Sequence, residues 1–234
     1  MSGPRKKVGI LISGRGSNMT ALIEAAAERD YPADIAFVIS DNPDAQGLAV
    51  AASKGIPSGV VERSKFSSKI AHDEAIDTAL QSFGIEIVAL AGYMRLLTTP
   101  FVEKWRGRMV NIHPALLPLF KGLDTHKRAL ETGARVHGCT VHFVTPDMDD
   151  GPIIAQAAVP VVIGDDEATL AARVLKAEHQ LYPMALRLVA EGKARMDGNR
   201  TVFSSFDDLA QGHVSSPMPG VAMVNFEQLA RITP

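Results

Sequence analysis

An asparagine and a histidine one residue apart, Asn111-Ile112-His113, close a strand-like run that begins at Arg108 and are followed at once by Pro114. On a strand, positions two apart share a face, so Asn111 and His113 address one site while Ile112 points away from it. An amide and an imidazole sharing one face at the carboxyl end of a strand make a candidate site for a ligand. The turn Asp147-Met148-Asp149-Asp150-Gly151 supplies carboxylates, and one of them folded onto His113 would favour the imidazolium. Spacing alone does not choose among the three. A third cluster, Ser13-Gly14-Arg15-Gly16-Ser17-Asn18, joins an apolar run to an amphipathic one. Its glycines let backbone N–H groups turn towards an anion and the following helix adds partial positive charge, so a phosphate is the natural guest. Met19 occupies the place of the third glycine in the dinucleotide fingerprint, and the Gly-Lys-Ser/Thr of the Walker pattern is absent.

These clusters need a scaffold that brings them together. Apolar runs at 8–12, 35–40, 59–62, 86–91 and 108–112 alternate with helical patterns at 18–29, 45–54, 67–83 and 99–105. That alternation predicts an α/β fold: a mainly parallel twisted sheet with helices on both faces, whose ligand crevice lies outside the carboxyl ends of the strands. Two β-rich runs at 136–144 and 152–162, separated by a short polar turn, predict antiparallel strands in the C-terminal half. A long helix is expected over 165–191, capped by Asp165 or Asp166, bent at Pro183 and stopped by Gly192. A small hairpin is expected around Asp197-Gly198-Asn199. Residues 1–206 read as one domain and 207–234 as a flexible tail.

The 24 basic and 26 acidic side chains nearly cancel, and no basic stripe interleaved with aromatics is present, which disfavours nucleic acid as a partner. One cysteine, Cys139, excludes an internal disulfide, and the histidines lack metal-ligand spacing, so neither a metal nor an oxidising compartment is expected. A cytoplasmic protein follows, with no membrane segment. His137 and Cys139 share one strand face and His142 takes the other; a buried cysteine explains the first pair better than a nucleophile does.

Longer stretches carry a resemblance. Val8 to Asn18, Leu90-Ala91-Gly92-Tyr93-Met94-Arg95, Asn111-Ile112-His113-Pro114-Ala115-Leu116-Leu117-Pro118, His137-Gly138, Val141 to Val144, Asp149 before Gly151, and Ala177-Glu178-His179 closely resemble the phosphoribosylglycinamide formyltransferase family. The resemblance runs from about residue 7 to about residue 200. It implies a Rossmann-like formyltransferase fold and transfer of the formyl group of 10-formyltetrahydrofolate to the amine of glycinamide ribonucleotide in de novo purine biosynthesis. It also implies Asn111, His113 and Asp149 as the catalytic trio. By the same resemblance Gly16, Ser17 and Asn18 hold the ribonucleotide phosphate and Glu178 contacts that substrate. Lys69, Met94 to Leu97 (Met94, Arg95, Leu96, Leu97), Asn111, and Thr145 to Asp149 (Thr145, Pro146, Asp147, Met148, Asp149) line the folate site.

Three positions depart from the family pattern: Asp150 where glycine is common, Leu119-Phe120-Lys121 in place of Lys-Tyr-Pro, and a lysine at 176 rather than 175. The first is expected to stiffen the folate loop. Two relatives compete: a formyltetrahydrofolate hydrolase should carry a domain before the first strand, and a methionyl-tRNA formyltransferase a further β-domain. From another class, Asp41 after the second strand could hold a ribose in a dehydrogenase. Oligomeric state is left open, a homodimer included.

Overall fold

The computed structural model describes residues 4–204; the tail expected at 207–234 lies outside them. Seven strands form one sheet in the order β3-β2-β1-β4-β5-β6-β7. In chain order they are β1 (Lys6–Ile12), β2 (Ala33–Ser40), β3 (Ser58–Val60), β4 (Ile87–Leu90), β5 (Met109–His113), β6 (Val136–Phe143) and β7 (Ile153–Pro160). The first five run parallel, and β6 and β7 are added antiparallel, as the short turn between them requires.

Alternation along the strands sorts two cores. Val8, Ile10 and Ile12 of β1 and Val110 and Ile112 of β5 face α1 (Ser17–Ala26), α2 (Gln46–Ser53), α5 (Thr125–Glu131) and α6 (Glu167–Ala190). Leu11, Val88 and Met109 face α3 (Lys69–Ser82) and α4 (Thr99–Lys104) through Ile76, Leu80, Phe101 and Val102. Cys139 is fully buried in the first core and burial pushes its thiol up, as expected of a packing residue. The expected strands, the long helix and the hairpin β8 (Ala194–Asp197) with β9 (Arg200–Phe203) are all present, with ends displaced by one to a few residues.

Asp166, one of the two expected caps, accepts the Thr169 N–H at the start of α6. The helix continues unbroken through Pro183, whose carbonyl accepts the Tyr31 hydroxyl. One α-helix has no counterpart in the sequence reading. The seven-residue α5 buries only Thr125 and Ala129, too few apolar positions to register as a periodic face.

At the switch point of the sheet, between β1 and β4, the two following loops are tied together. Ser13 N–H donates to the Gly92 carbonyl at 3.1 Å, and Ser13 Oγ accepts the Met94 N–H at 2.9 Å. On the far side of β4, the face carrying Asn111 and His113 is closed over β6 by loops rather than by a helix. Thr140 Oγ donates to Ala115 O and accepts from Leu117 N.

Candidate active site

The glycine loop turns because Gly16 stands at φ +74°, a conformation that costs other residues strain, and it forms the N-cap of α1 without any side-chain cap. The first N–H groups of α1 are therefore left to whatever docks there. Gly47 of α2 supports the loop from beneath. Its N–H donates to Gly14 O at 3.0 Å, and a Cβ at that position would meet Ile12 Cδ1 at 2.5 Å. Asn18 is buried and directs its amide N–H to Glu178 Oε2 of α6 at 2.7 Å. Burial raises the Glu178 carboxyl above the ordinary range, and the Asn18 bond opposes that shift. Asn18 and Glu178, 160 positions apart in the chain, thus meet beside the phosphate-type loop. On α6, Leu175 is half-buried and Lys176 exposed.

The second half of the site is written across the β5–β6 pairing. Asn111 lies opposite His142 and His113 opposite Thr140, so four polar side chains share one face. His142 is almost fully buried, and burial lowers its basicity against the opposing pull of the Phe143 carbonyl and Asp149. Its Nδ1 lies 2.9 Å from Phe143 O, a pure acceptor, so the ring proton sits there. Nε2 is left bare and accepts from Asn111 Nδ2 at 3.2 Å. One amide N–H of Asn111 is thereby engaged and its orientation fixed, while the other remains for a ligand.

His113 is placed differently. Nε2 faces Phe120 O at 3.0 Å and Nδ1 faces Asp149 Oδ2 at 3.4 Å. Both neighbours are acceptors, and only a ring protonated on both nitrogens can donate to both. Asp149 also accepts the Gly122 N–H at 2.9 Å through Oδ2, and its Oδ1 lies 3.7 Å from His142 Nε2. Of the three turn aspartates, Asp149 is the one brought to His113. It adopts φ +51°, and the loop that presents it closes against β6 at Gly151, where any side chain would collide with Phe143 O.

Two of the segments assigned to folate follow β4 and β6, the neighbours of β5 in the sheet. Met94 and Leu96 are exposed, and Leu97 packs on the α3–α4 core. Arg95 Nε donates to Asp41 Oδ2 at 2.7 Å, which engages the acid that a dehydrogenase would keep for a ribose. A cavity of about 480 Å3 borders Ser13, Asp41, Arg63, Met94 and Arg95. Lys69 opens α3 at the surface. Met148 is exposed, and Thr145 Oγ1 reaches Asp147 O at 3.4 Å. Sequence reasoning missed His142, Phe120 and Gly47. His142 was read only as taking the strand face opposite His137 and Cys139, because its partner depends on antiparallel register.

The formyl transferase family matches residues 6–186. The chain belongs to the formyl transferase family. This formyl transferase is 43% identical over 194 residues to the phosphoribosylglycinamide formyltransferase of Haemophilus influenzae, covering 83% of this chain and 92% of that protein. A crystal structure of phosphoribosylglycinamide formyltransferase from Brucella melitensis is 56% identical with a TM-score of 0.77, over 80% of this chain and 96% of that one. The chain is also 50% identical over 195 residues to the human trifunctional purine biosynthetic protein adenosine-3; the match takes in 83% of this chain but spans only 19% of that protein's length. Among the described residues of this formyl transferase, no three His, Cys, Asp or Glu side chains are grouped to hold a metal ion. No described helix is long and apolar enough to cross a membrane.

Proposed function

We propose that the chain transfers the formyl group of 10-formyltetrahydrofolate to the amine of N1-(5-phosphoribosyl)glycinamide, giving the N2-formyl product and tetrahydrofolate in de novo purine biosynthesis. The observation that carries this reading is the convergence of Asn111, His113 and Asp149 on one face of β5–β6, on the same sheet end as an uncapped glycine-loop helix. In it, the α1 N-terminus takes the substrate phosphate, and Glu178, steadied by Asn18, takes the sugar or amine end. The folate lies along Met94 to Leu97 and Thr145 to Asp149, with Lys69 at its acidic end.

The amine attacks the formyl carbon directly. The free Asn111 N–H and the His113 imidazolium stabilise the oxygen of the tetrahedral intermediate. The contact from His113 Nδ1 to Asp149, at 3.4 Å, is the looser of its two, so it is the one shared with substrate or a relaying water. Proton movement from the amine to the folate nitrogen passes by way of that water. No covalent enzyme intermediate is needed. A cytoplasmic location and a reduced folate without a metal belong to the same proposal, and a homodimer is compatible with it.

The deciding experiment follows tetrahydrofolate release from 10-formyltetrahydrofolate with and without the ribonucleotide. Release that requires the ribonucleotide is the expected result. Equal release without it would make the chain a hydrolase and overturn the reading.

A further inference from the structure

We propose that Lys121 and Asp150 form a strap that positions the His113–Asp149 pair; the inference rests on the activity proposed above. His113 is held from two separate loops, by the Phe120 carbonyl of the segment after β5 and by the Asp149 carboxylate of the β6–β7 turn. Lys121 immediately follows Phe120, and Asp150 immediately follows Asp149. Their side chains meet in a hydrogen-bonded ion pair. Each end of the strap thus sits one residue from a contact to the imidazole. A second tie runs parallel to it, from Gly122 N–H to Asp149 Oδ2 at 2.9 Å.

Both loops need such a tie. Phe120 at φ +54° and Asp149 at φ +51° are non-glycine residues in the left-handed region, where backbone strain favours relaxation elsewhere. The first loop is anchored on its other side by Arg128 of α5, which donates to Lys121 O at 2.7 Å. The β6–β7 turn has Lys121 as its charged partner across the gap.

The side chains of the strap are 36% and 55% exposed, so it contributes little to global stability and is open to screening by salt. Its effect falls on where Asp149 stands relative to His113, and positional errors at a reacting centre show in turnover.

The test uses the full chain and the variants Lys121→Met, Asp150→Asn and the charge swap Lys121→Asp with Asp150→Lys. Each single variant is expected to lower kcat by about fivefold, the rate equivalent of the upper range for an exposed ion pair, while KM for the ribonucleotide and the thermal midpoint stay unchanged. The swap should restore most of the loss. Raising salt to about 0.5 M should bring the parent down to the single variants and leave those variants where they are. Amide exchange at Gly122, read by NMR without any turnover, should speed up in both single variants. That readout separates the two ideas: a chain inactive with these substrates but with faster Gly122 exchange in the variants would refute the activity and keep the strap. Unchanged Gly122 exchange in both single variants would overturn the strap, as would a swap no better than either single variant.

Discussion

Two pairs of histidines lie on opposite faces of the β5–β6 sheet, and they are built by opposite rules. On the crevice face, His113 and His142 have a polar partner at every ring nitrogen. On the helix face, the His126 and His137 rings pack edge to face at 5.3 Å, and Phe120 stands 5.7 Å from His137. Both nitrogens of His137 and Nδ1 of His126 are buried without a hydrogen bond. His137 and His142 are five residues apart on one strand, so a change of side-chain parity alone moves a histidine from a packing role to a chemical one. A second contrast lies within the crevice pair. His113 sits between two acceptors and His142 between one acceptor and one donor, so the first suits a cation and the second a neutral ring.

The comparison breaks most sharply at Asp149. Asparagine there replaces the anion beside His113 with a neutral amide. Turnover should fall by about 100-fold to 1000-fold, the range for losing one oxyanion donor, with the thermal midpoint little changed. A near-normal kcat in that variant would mean that His113 does not depend on Asp149 and that the contrast between the two crevice histidines is only geometric.

His142 gives the next effect. Phenylalanine at that place leaves the inner Asn111 N–H without its acceptor, and kcat should drop by about tenfold, equivalent to one ordinary hydrogen bond's positional contribution. Glutamine can offer an oxygen to the same N–H and should recover part of the loss. Equal kcat for the two variants would show that His142 only fills space.

The smallest effect on catalysis is expected on the helix face, where the readout is stability. Burial pulls His137 from 6.5 down to about 4, and His126 moves in the same direction. Between those values the unfolded chain binds a proton that the folded chain refuses, so stability is full above about 6.5 and is lost as pH falls towards 4. His137→Leu should keep its turnover and soften that acid loss by up to about 2.5 kcal/mol at pH 4.5. Urea unfolding of both proteins across this range measures it. A parallel decline with pH in the two proteins would remove His137 from the account.

What the sequence disclosed and what it withheld divide along the same line. Asn111 and His113 were legible because their geometry is local: a period of two on one strand and a proline to end it. The glycine loop was legible for a similar reason, since turn and helix start are consecutive in the chain. His142 was not, because its meeting with Asn111 is set by the register of two strands whose connection passes through a loop and α5. Spacing also could not choose between Asp147, Asp149 and Asp150, as the choice depends on a left-handed backbone at Asp149 and on Lys121 claiming Asp150. The helix α5 escaped notice because a single turn or two with one buried alanine carries almost no periodic signal.

The long helix α6 ties the glycine loop to the two central strands β4 and β5 over about one turn. Glu178 bonds Asn18 beside the glycine loop, and four residues later the buried Tyr182 hydroxyl donates to Leu90 O at 2.9 Å, at the end of β4, and lies 3.2 Å from Val110 O, near the start of β5. Four residues of helix span about 6 Å of a stiff rod. In the activity proposed above, a phosphate at the loop and an amine beside β5 would be gauged against the same member. Acceptor length would then be the property measured: one carbon fewer should leave the phosphate docked and the amine short of the formyl carbon, seen as binding without turnover.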